Sequence, residues 1–342
     1  MKQEVPKPIS GGLILSYRCS CECLHCMYAC SPRWEADWIS ENDLEMVLSK
    51  LSGRIAASPY GPNNVSLNSG LHFTGGEPFL NFELLLNAVI ITEEYAIPST
   101  FVETNCFWCT SDRDTREKLS TLKSKGLKGI LVSVNPFYLE WVPFERTKRA
   151  VQIGYELFGN NMFVYQLDYF RRFVSMGIEG RVSFYRYLEQ NNGDFLHDVE
   201  FFFMGRAAYD LGERLAKVVQ HYEPQSLFGR QCVGGFLRPW HNHFDNYCNY
   251  VPGYCGGISF GDCRDLDNLL TEGLDLDDYP VLAYLVSEDI KGLFEFAQDL
   301  GYMESGKGYL SKCHLCVDIR RFLVTAGEFR ELRPKEFYQQ LK

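Results

Sequence analysis

The spacing of the cysteines limits what this chain can be more than any other feature. Its 13 cysteines fall into three groups, which are Cys19, Cys21, Cys23, Cys26 and Cys30, then Cys106 and Cys109, and then Cys232, Cys248, Cys255, Cys263, Cys313 and Cys316. Disulfide-rich secreted domains are usually shorter than about 100 residues, and the first residues lack the basic and then apolar order of a signal peptide. Clustered cysteines in a reducing compartment more often hold metal or perform redox chemistry. The sequence therefore predicts a cytoplasmic protein with two metal-binding regions.

Charge and composition narrow the class of partner. The chain has 34 Lys and Arg against 44 Asp and Glu, a net charge of −10, and 46% of its residues are apolar. An acidic chain does not favour an electrostatic hold on nucleic acid or on an anionic membrane. The sequence also lacks an apolar stretch of the roughly 18 to 20 residues needed to span a bilayer. We therefore expect a folded protein that acts on a small molecule or a peptide, without nucleic-acid or membrane partners.

Short apolar runs alternate with amphipathic segments along the first 200 residues. Strands are predicted at 12–17, 71–74, 100–104, 129–134, 181–187 and 199–203, and helices at 40–51, 81–94, 112–125, 144–158, 166–176 and 206–220. Strands that alternate with helices form parallel sheets through βαβ units. The sequence therefore predicts an α/β fold with a parallel sheet.

Polar motifs follow four of these strands. They are the first cysteine group, Gly75-Gly76-Glu77-Pro78, Glu103-Thr104-Asn105 and Ser133-Val134-Asn135. Ligands of parallel α/β proteins bind at the carboxyl ends of the strands. We therefore expect all four motifs to face one site, although the last two taken alone are more typical of helix caps or turns.

The first cysteine group contains the spacing Cys19-x3-Cys23-x2-Cys26. Three thiolates on one short loop can ligate three irons of a [4Fe-4S] cluster and leave the fourth iron open to a ligand. A zinc site or a set of structural thiols is the alternative. Either Cys21 or Cys30 could replace one of the three ligands.

This arrangement resembles the radical S-adenosylmethionine (radical SAM) superfamily, whose signature is a Cys-x3-Cys-x2-Cys loop after the first strand of a partial (β/α)6 barrel. The resemblance implies that Gly75, Gly76, Glu77 and Pro78 receive the methionine amino group of SAM. Glycines allow the backbone to approach a ligand closely, and a carboxylate can pair with an ammonium group. By the same resemblance, Glu103 and Asn105 contact the ribose or the amino acid moiety of SAM. Ser133 and Asn135 form the polar pair on the following strand.

The last third resembles the SPASM and Twitch extensions of that superfamily. Gly205-Arg206-Ala207 resembles the junction between barrel and extension, and Arg206 could hold a carboxylate, for example that of SAM. Residues 243–255 resemble the β-hairpin of these extensions. The resemblance predicts a core barrel over 1–205 and an extension with a tail over 206–342. The four thiols of Cys232, Cys255, Cys313 and Cys316 could hold a second [4Fe-4S] cluster.

Other assignments of the late cysteines stay open. Cys248 is an alternative ligand in place of Cys232 or Cys255, and Cys263 is the remaining candidate. A structural zinc site would use the same cysteines. Cys106 and Cys109 are either redox-active or substrate-facing thiols, or two buried free thiols.

The resemblance implies an oxidoreductase or maturase that cleaves SAM reductively. Its [4Fe-4S] cluster delivers an electron to SAM, and the resulting 5′-deoxyadenosyl radical removes hydrogen from a substrate, which is a peptide, a protein or a small metabolite. A reductant protein such as a flavodoxin or ferredoxin is the implied partner. The alternatives are an iron–sulfur electron-transfer protein and a zinc-binding interaction protein, neither of which needs SAM.

Overall fold

The computed structural model describes residues 1–35, 37–191, 202–211, 219–232 and 235–342. Contacts divide the chain into two compact units. The barrel unit comprises Pro8–Cys23 and Cys30–Phe201, and the C-terminal unit comprises Met1–Lys7, Leu24–Ala29 and Phe202–Lys342. The chain passes from the barrel unit to the C-terminal unit between Phe201 and Phe202, four residues before the predicted domain boundary at 205/206. That boundary stays a prediction.

The barrel unit is built on five parallel strands, which are β1 Ser10–Ile14, β2 Gly70–Thr74, β3 Phe101–Thr104, β4 Gly129–Ser133 and β5 Met162–Tyr165. Each strand pairs in parallel with the next one along the chain. Sequential order is typical of (β/α) barrels, whereas the order reverses in a doubly wound sheet. The predicted fold class, an α/β partial barrel, is confirmed. All residues of β1 and β2 are buried, as expected for parallel strands covered on both faces.

Helices connect the strands of the barrel unit. They are α1 Glu41–Leu51, α2 Phe82–Glu94, α3 Asp112–Ser124, α4 Pro136–Leu139, α5 Phe144–Phe158, α6 Leu167–Ser175 and α7 Phe184–Gln190. Ser40, Asn81 and Ser111 cap α1, α2 and α3, because each side chain accepts a hydrogen bond from the backbone N–H three residues later. These caps set where each helix begins after its strand.

Two predicted elements differ from the structure. The strand predicted at 181–187 is wrong, since this stretch contains the start of α7, where Ser183 caps the helix and Phe184 and Tyr187 lie buried on one face. Strand β5 was not predicted. Its residues Met162–Tyr165 form a short apolar run, but they are half-buried or exposed, unlike the buried residues of β1 and β2. The strand predicted at 199–203 and the helix predicted at 206–220 lie partly outside the described residues.

The C-terminal unit contains a hairpin and five helices among its described residues. The hairpin pairs β6 Asn242–Phe244 with β7 Tyr250–Val251 in antiparallel register, within the segment predicted to form one. The helices are α8 Leu266–Glu272, α9 Pro280–Val286, α10 Ile290–Asp299, α11 Lys312–Ala326 and α12 Lys335–Gln339. Lys2–Gln3 pairs with Leu274–Asp275. In the described part of the chain, no helix has the length and apolarity required to cross a membrane.

Candidate cofactor and cluster sites

The loop after β2 packs tightly on the loop after β1, both within the barrel unit. Gly76 donates from its backbone N–H to the carbonyl of Ser16, and Glu77 donates to that of Arg18. A Cβ on Gly76 would lie 1.8 Å from the Arg18 carbonyl oxygen, and Gly75 has a φ of +123°. Both positions therefore require glycine. The glycines bring the Gly75–Pro78 motif against the chain that leads into the first cysteine group.

Glu77 is a buried carboxyl group at which three donors converge. It accepts hydrogen bonds from the Thr104 hydroxyl at 2.9 Å, from the Asn105 backbone N–H at 2.8 Å and from the Phe79 backbone N–H at 3.2 Å. Burial raises the pKa of Glu77 to about 7, and the hydrogen bonds oppose this effect. The carboxyl group is therefore poised to ionise near neutral pH, and a cation placed beside it would favour the ionised form.

Asn105 connects Glu77 to the first cysteine loop. Its side-chain Nδ2 donates to the Ser20 hydroxyl at 3.1 Å and lies 3.6 Å from the Cys19 sulfur, while its Oδ1 accepts from the Phe107 backbone N–H. Asn105 is 5% exposed. The structure thus brings together three of the predicted motif positions, Cys19, Glu77 and Asn105, at the carboxyl ends of neighbouring strands.

Cys19 and Cys23 are both buried in the barrel unit. A hydrogen bond with the Cys21 thiol and burial both raise the pKa of Cys19. The Cys30 thiol donates to the carbonyl of Gly75 at 3.3 Å, so this cysteine already has a structural partner. Cys26 belongs to the C-terminal unit, in the segment Leu24–Ala29.

Glu103 and Asn135 have other partners in the barrel unit. Glu103 accepts from the Thr74 hydroxyl at 2.7 Å and lies 3.6 Å from Nε2 of His72. Burial raises the pKa of Glu103 to about 7, opposed by the Thr74 bond. The Asn135 side chain caps α4 by accepting hydrogen bonds from the backbone N–H groups of Phe137 and Tyr138. Ser133 is half-buried at the end of β4. The predicted contacts of Glu103, Ser133 and Asn135 with SAM therefore stay predictions.

Arg206 is buried in the C-terminal unit and binds backbone carbonyls. Its guanidinium donates to the Ala29 carbonyl at 2.7 Å and to the Gln340 carbonyl at 3.3 Å, and its backbone N–H donates to the Cys26 carbonyl. Only 1% of its surface is exposed. Gly205 has a φ of +55°, and a Cβ there would lie 2.3 Å from the Met27 carbonyl oxygen. The Gly-Arg pair therefore fixes the segment that carries Cys26.

A cavity in the C-terminal unit is lined by four cysteines, Cys232, Cys255, Cys313 and Cys316. Cys313 and Cys316 lie three residues apart in the first turns of α11, so both thiols are on one side of the helix. The remaining wall is largely apolar, with Phe236, Ile258, Leu285 and Phe337. The structure thus brings together the four cysteines that the sequence predicted as one ligand set, and four thiolates suit a [4Fe-4S] cluster or a zinc ion.

The thiols of this four-cysteine cavity lie close enough to influence one another. Burial raises the pKa of Cys255 to about 12, and it also raises the pKa values of Cys232 and Cys313. Negative charge on the other thiols raises the pKa of Cys313 further. Binding of a metal group would therefore have to displace protons from these sulfurs.

The remaining cysteines form two buried pairs. Cys248 and Cys263 share a backbone hydrogen bond of 2.8 Å, and neither is among the described residues that line the four-cysteine cavity. Burial raises the pKa of Cys263, and a hydrogen bond with Cys248 raises it further. In the barrel unit, Cys106 and Cys109 are fully buried. The pKa of Cys106 is raised by burial first and by a hydrogen bond with Cys109 second.

Comparisons with known proteins give one curated relative and several solved structures. The putative peptide biosynthesis protein YydG of Bacillus subtilis (strain 168) is 25% identical over 142 residues, which cover 40% of this chain and 39% of YydG. The alignment therefore spans about two fifths of each protein. No family model matches the chain.

Two solved structures extend the comparison. BtrN in complex with AdoMet and 2-DOIA is 12% identical, with a TM-score of 0.41 and coverage of 79% of this chain and 83% of that chain. The anSMEcpe structure with bound AdoMet is 14% identical, with a TM-score of 0.46 and coverage of 98% and 96%. Both of these solved structures contain AdoMet, the ligand that the resemblance in the sequence implies.

Proposed function

We propose that this chain is a radical SAM enzyme that modifies a peptide. The observation that carries the proposal is the hydrogen-bonded connection from Glu77 through Asn105 to the first cysteine loop. It joins a motif suited to an ammonium group with thiols suited to a cluster, at the carboxyl ends of parallel strands. A zinc-binding or electron-transfer protein would have no need for a buried carboxyl group in this position.

Cys19, Cys23 and Cys26 are the proposed ligands of the first [4Fe-4S] cluster. The proposal rests on their spacing in the sequence and on the burial of Cys19 and Cys23. Three thiolate ligands leave one iron open to SAM. With SAM bound, this cluster would supply the one electron that breaks a C–S bond of the SAM sulfonium, which yields methionine and a 5′-deoxyadenosyl radical able to abstract hydrogen from the substrate.

The residues of this chain are proposed to bind and orient SAM. The Glu77 carboxylate and the backbone of Gly75, Gly76 and Pro78 would hold the methionine ammonium group. Glu103 and Asn105 would contact the ribose or the amino acid moiety, Ser133 and Asn135 the next part of the ligand, and Arg206 a carboxylate. A buried setting also excludes water, which protects a reactive radical from side reactions.

Cys232, Cys255, Cys313 and Cys316 are the proposed ligands of a second [4Fe-4S] cluster. Their common cavity supports this set over one that includes Cys248. If all four ligands are cysteines, no iron is left open, so electron transfer is favoured over direct binding of substrate.

We propose a peptide as the substrate because the relative YydG is a putative peptide biosynthesis protein. A small metabolite is the alternative, because BtrN was crystallised with the ligand 2-DOIA. A flavodoxin or ferredoxin would supply the electron, and the cytoplasm is the compartment that keeps such thiols reduced.

Anaerobic reconstitution of the full chain tests the proposal. We expect about eight irons and about eight sulfides per chain, as two [4Fe-4S] clusters require. With dithionite and SAM, the protein should release 5′-deoxyadenosine and methionine in equal amounts. Zinc without iron, or iron without nucleoside release, would overturn it.

A further inference from the structure

Two buried cations line the four-cysteine cavity. Arg320 is 5% exposed and Lys312 is 6% exposed, and both lie on α11 together with Cys313 and Cys316. Arg320 follows Cys316 by one helical turn, so its side chain lies on the same side of the helix. Isolated buried cations are unfavourable without a charge partner. The two cations would therefore stabilise a negatively charged group bound in the cavity.

Arg320 is held against the loop that carries Cys255. Its Nη1 donates to the Gly256 carbonyl at 3.0 Å and to the Tyr338 hydroxyl at 2.9 Å, and Tyr338 in turn donates to the Gly257 carbonyl at 2.6 Å. These bonds fix the position of the guanidinium. The positive charge of Arg320 is therefore held at one place in the wall of the four-cysteine cavity.

One donor of Arg320 is unused. Its Nε is buried and has no hydrogen-bond partner among the residues that the structure describes. A buried N–H without an acceptor costs free energy, and the group that the chain itself offers this guanidinium from the ligand set is the Cys316 thiol. The sulfurs of a cluster held by the four cysteines would be acceptors for this donor.

Arg320 and Lys312 share the wall of the cavity with the four cysteines. Lys312 Nζ also donates to the Glu288 carbonyl at 3.3 Å. The Glu288 carboxylate accepts from the Cys232 backbone N–H, so one acidic group accompanies the two cations.

We propose that Arg320 and Lys312 raise the reduction potential of the second cluster, acting as positioning residues that offset its negative charge. A [4Fe-4S] cluster with four thiolates becomes more negative by one unit when it accepts one electron, and no bond is formed or broken. A fixed positive charge in a largely apolar cavity stabilises the reduced form more than the oxidised form. The inference rests on the second cluster of the proposed function.

The test uses the full chain with Cys19, Cys23 and Cys26 replaced by Ala, so that only the second cluster is loaded. Its midpoint potential is measured by redox titration monitored by electron paramagnetic resonance (EPR). We expect Arg320→Met and Lys312→Met each to lower the potential by at least about 59 mV, which is tenfold in the one-electron equilibrium. Arg320→Lys keeps the charge, so its midpoint potential should differ from that of the parent protein by less than about 59 mV.

Two controls separate charge from structure. Tyr338→Phe removes a hydrogen bond to Arg320 but no charge, and Arg321→Met removes a charge next to Arg320 on α11 whose guanidinium lies over the Tyr209 ring. Arg321→Met should retain the parent potential, and Tyr338→Phe, which keeps the charge and the bond from Arg320 to the Gly256 carbonyl, should change the potential less than Arg320→Met does. Should Arg320→Met fail to hold a cluster, Lys312→Met tests the same claim.

The outcomes distinguish the two proposals. A parent protein that binds no iron at the four cysteines would contradict the second cluster itself. A loaded cluster whose potential is unchanged in Lys312→Met and in any loaded Arg320→Met protein would overturn only the role of the two cations.

Discussion

Asn105 donates its backbone N–H to the Glu77 carboxyl group over 2.8 Å, although the two residues belong to loops that follow different strands. The Asn105 side chain continues the connection to Ser20, between Cys19 and Cys21. One residue thus joins the loops that follow β1, β2 and β3. This connection fixes the Glu77 carboxyl group, which we propose receives the SAM ammonium group, relative to the first cysteine loop.

The pKa of Glu77 predicts a pH dependence of SAM binding. A carboxyl group with a pKa of about 7 is largely ionised at pH 8 and largely neutral at pH 6. If only the carboxylate pairs with the SAM ammonium, the affinity should fall by about tenfold between pH 8 and pH 6. Equilibrium dialysis with the anaerobically reconstituted protein measures this change.

Two variants test whether Glu77 causes the pH dependence of SAM binding. Glu77→Gln should bind SAM more weakly and lose the fall in affinity, and any titration of SAM itself is common to both proteins. Glu103→Gln should retain the fall, although the pKa of Glu103 is also raised to about 7. Parallel pH profiles for the wild type and Glu77→Gln would contradict the assignment.

Gly76→Ala should damage the barrel unit. The new Cβ would lie 1.8 Å from the Arg18 carbonyl oxygen. This oxygen belongs to the backbone, so it cannot move away as easily as the end of a flexible side chain. We expect the free energy of unfolding to fall by about 1 to 3 kcal/mol, as is typical of overpacking, with loss of SAM cleavage.

Gly306→Ala is the matched control for Gly76→Ala, because a Cβ at Gly306 meets nothing within 4 Å. Thermal unfolding of the reconstituted proteins, followed by circular dichroism, should show a lower Tm for Gly76→Ala alone. Equal Tm values for the two variants would refute the close packing of the loops.

The two cysteine sets should be separable by substitution. Cys23→Ala should remove about four irons and abolish SAM cleavage, because it disables the cluster that binds SAM. Cys313→Ala should also remove about four irons but spare at least part of the cleavage. Iron content and 5′-deoxyadenosine release are measured together.

Cys248→Ala is the control for the second set. The structure pairs Cys248 with Cys263 and leaves it out of the cavity lining, so the variant should keep the full iron content. Loss of iron in Cys248→Ala, or equal and total loss of cleavage in Cys23→Ala and Cys313→Ala, would show that the assignment of independent sites is wrong.

The sequence predicted the elements whose local pattern agrees with their final surroundings. The first four strands contain apolar residues in short runs and are mostly buried, as expected of parallel strands that are covered on both faces. Strand β5 is an apolar run as well, Met162–Tyr165, but it is half-exposed and lies between the predicted helices at 144–158 and 166–176. Residues 181–184 alternate polar and apolar side chains as a strand does, but the cap at Ser183 and the buried pair Phe184 and Tyr187 produce a helix.

Part of the site was also accessible from the sequence. The spacing of Cys313 and Cys316 and the position of the Gly75–Pro78 motif after a strand are local signals. The choice of Cys255 over Cys248 depends on packing between distant segments, which spacing alone does not encode. Thr104, Lys312 and Arg320 were not singled out. The i, i+4 relation of Arg320 to Cys316 on a helix is the signal that could have found Arg320.

The most direct measurement of the central claim uses the Cys313→Ala/Cys316→Ala protein, in which only the first cluster can be complete. Its EPR spectrum is recorded after dithionite reduction, before and after addition of SAM. The account predicts that SAM changes the spectrum, because SAM binds the open iron, and that 5′-deoxyadenosine is released. A reduced cluster whose spectrum is unaffected by excess SAM, with no nucleoside released, would contradict it.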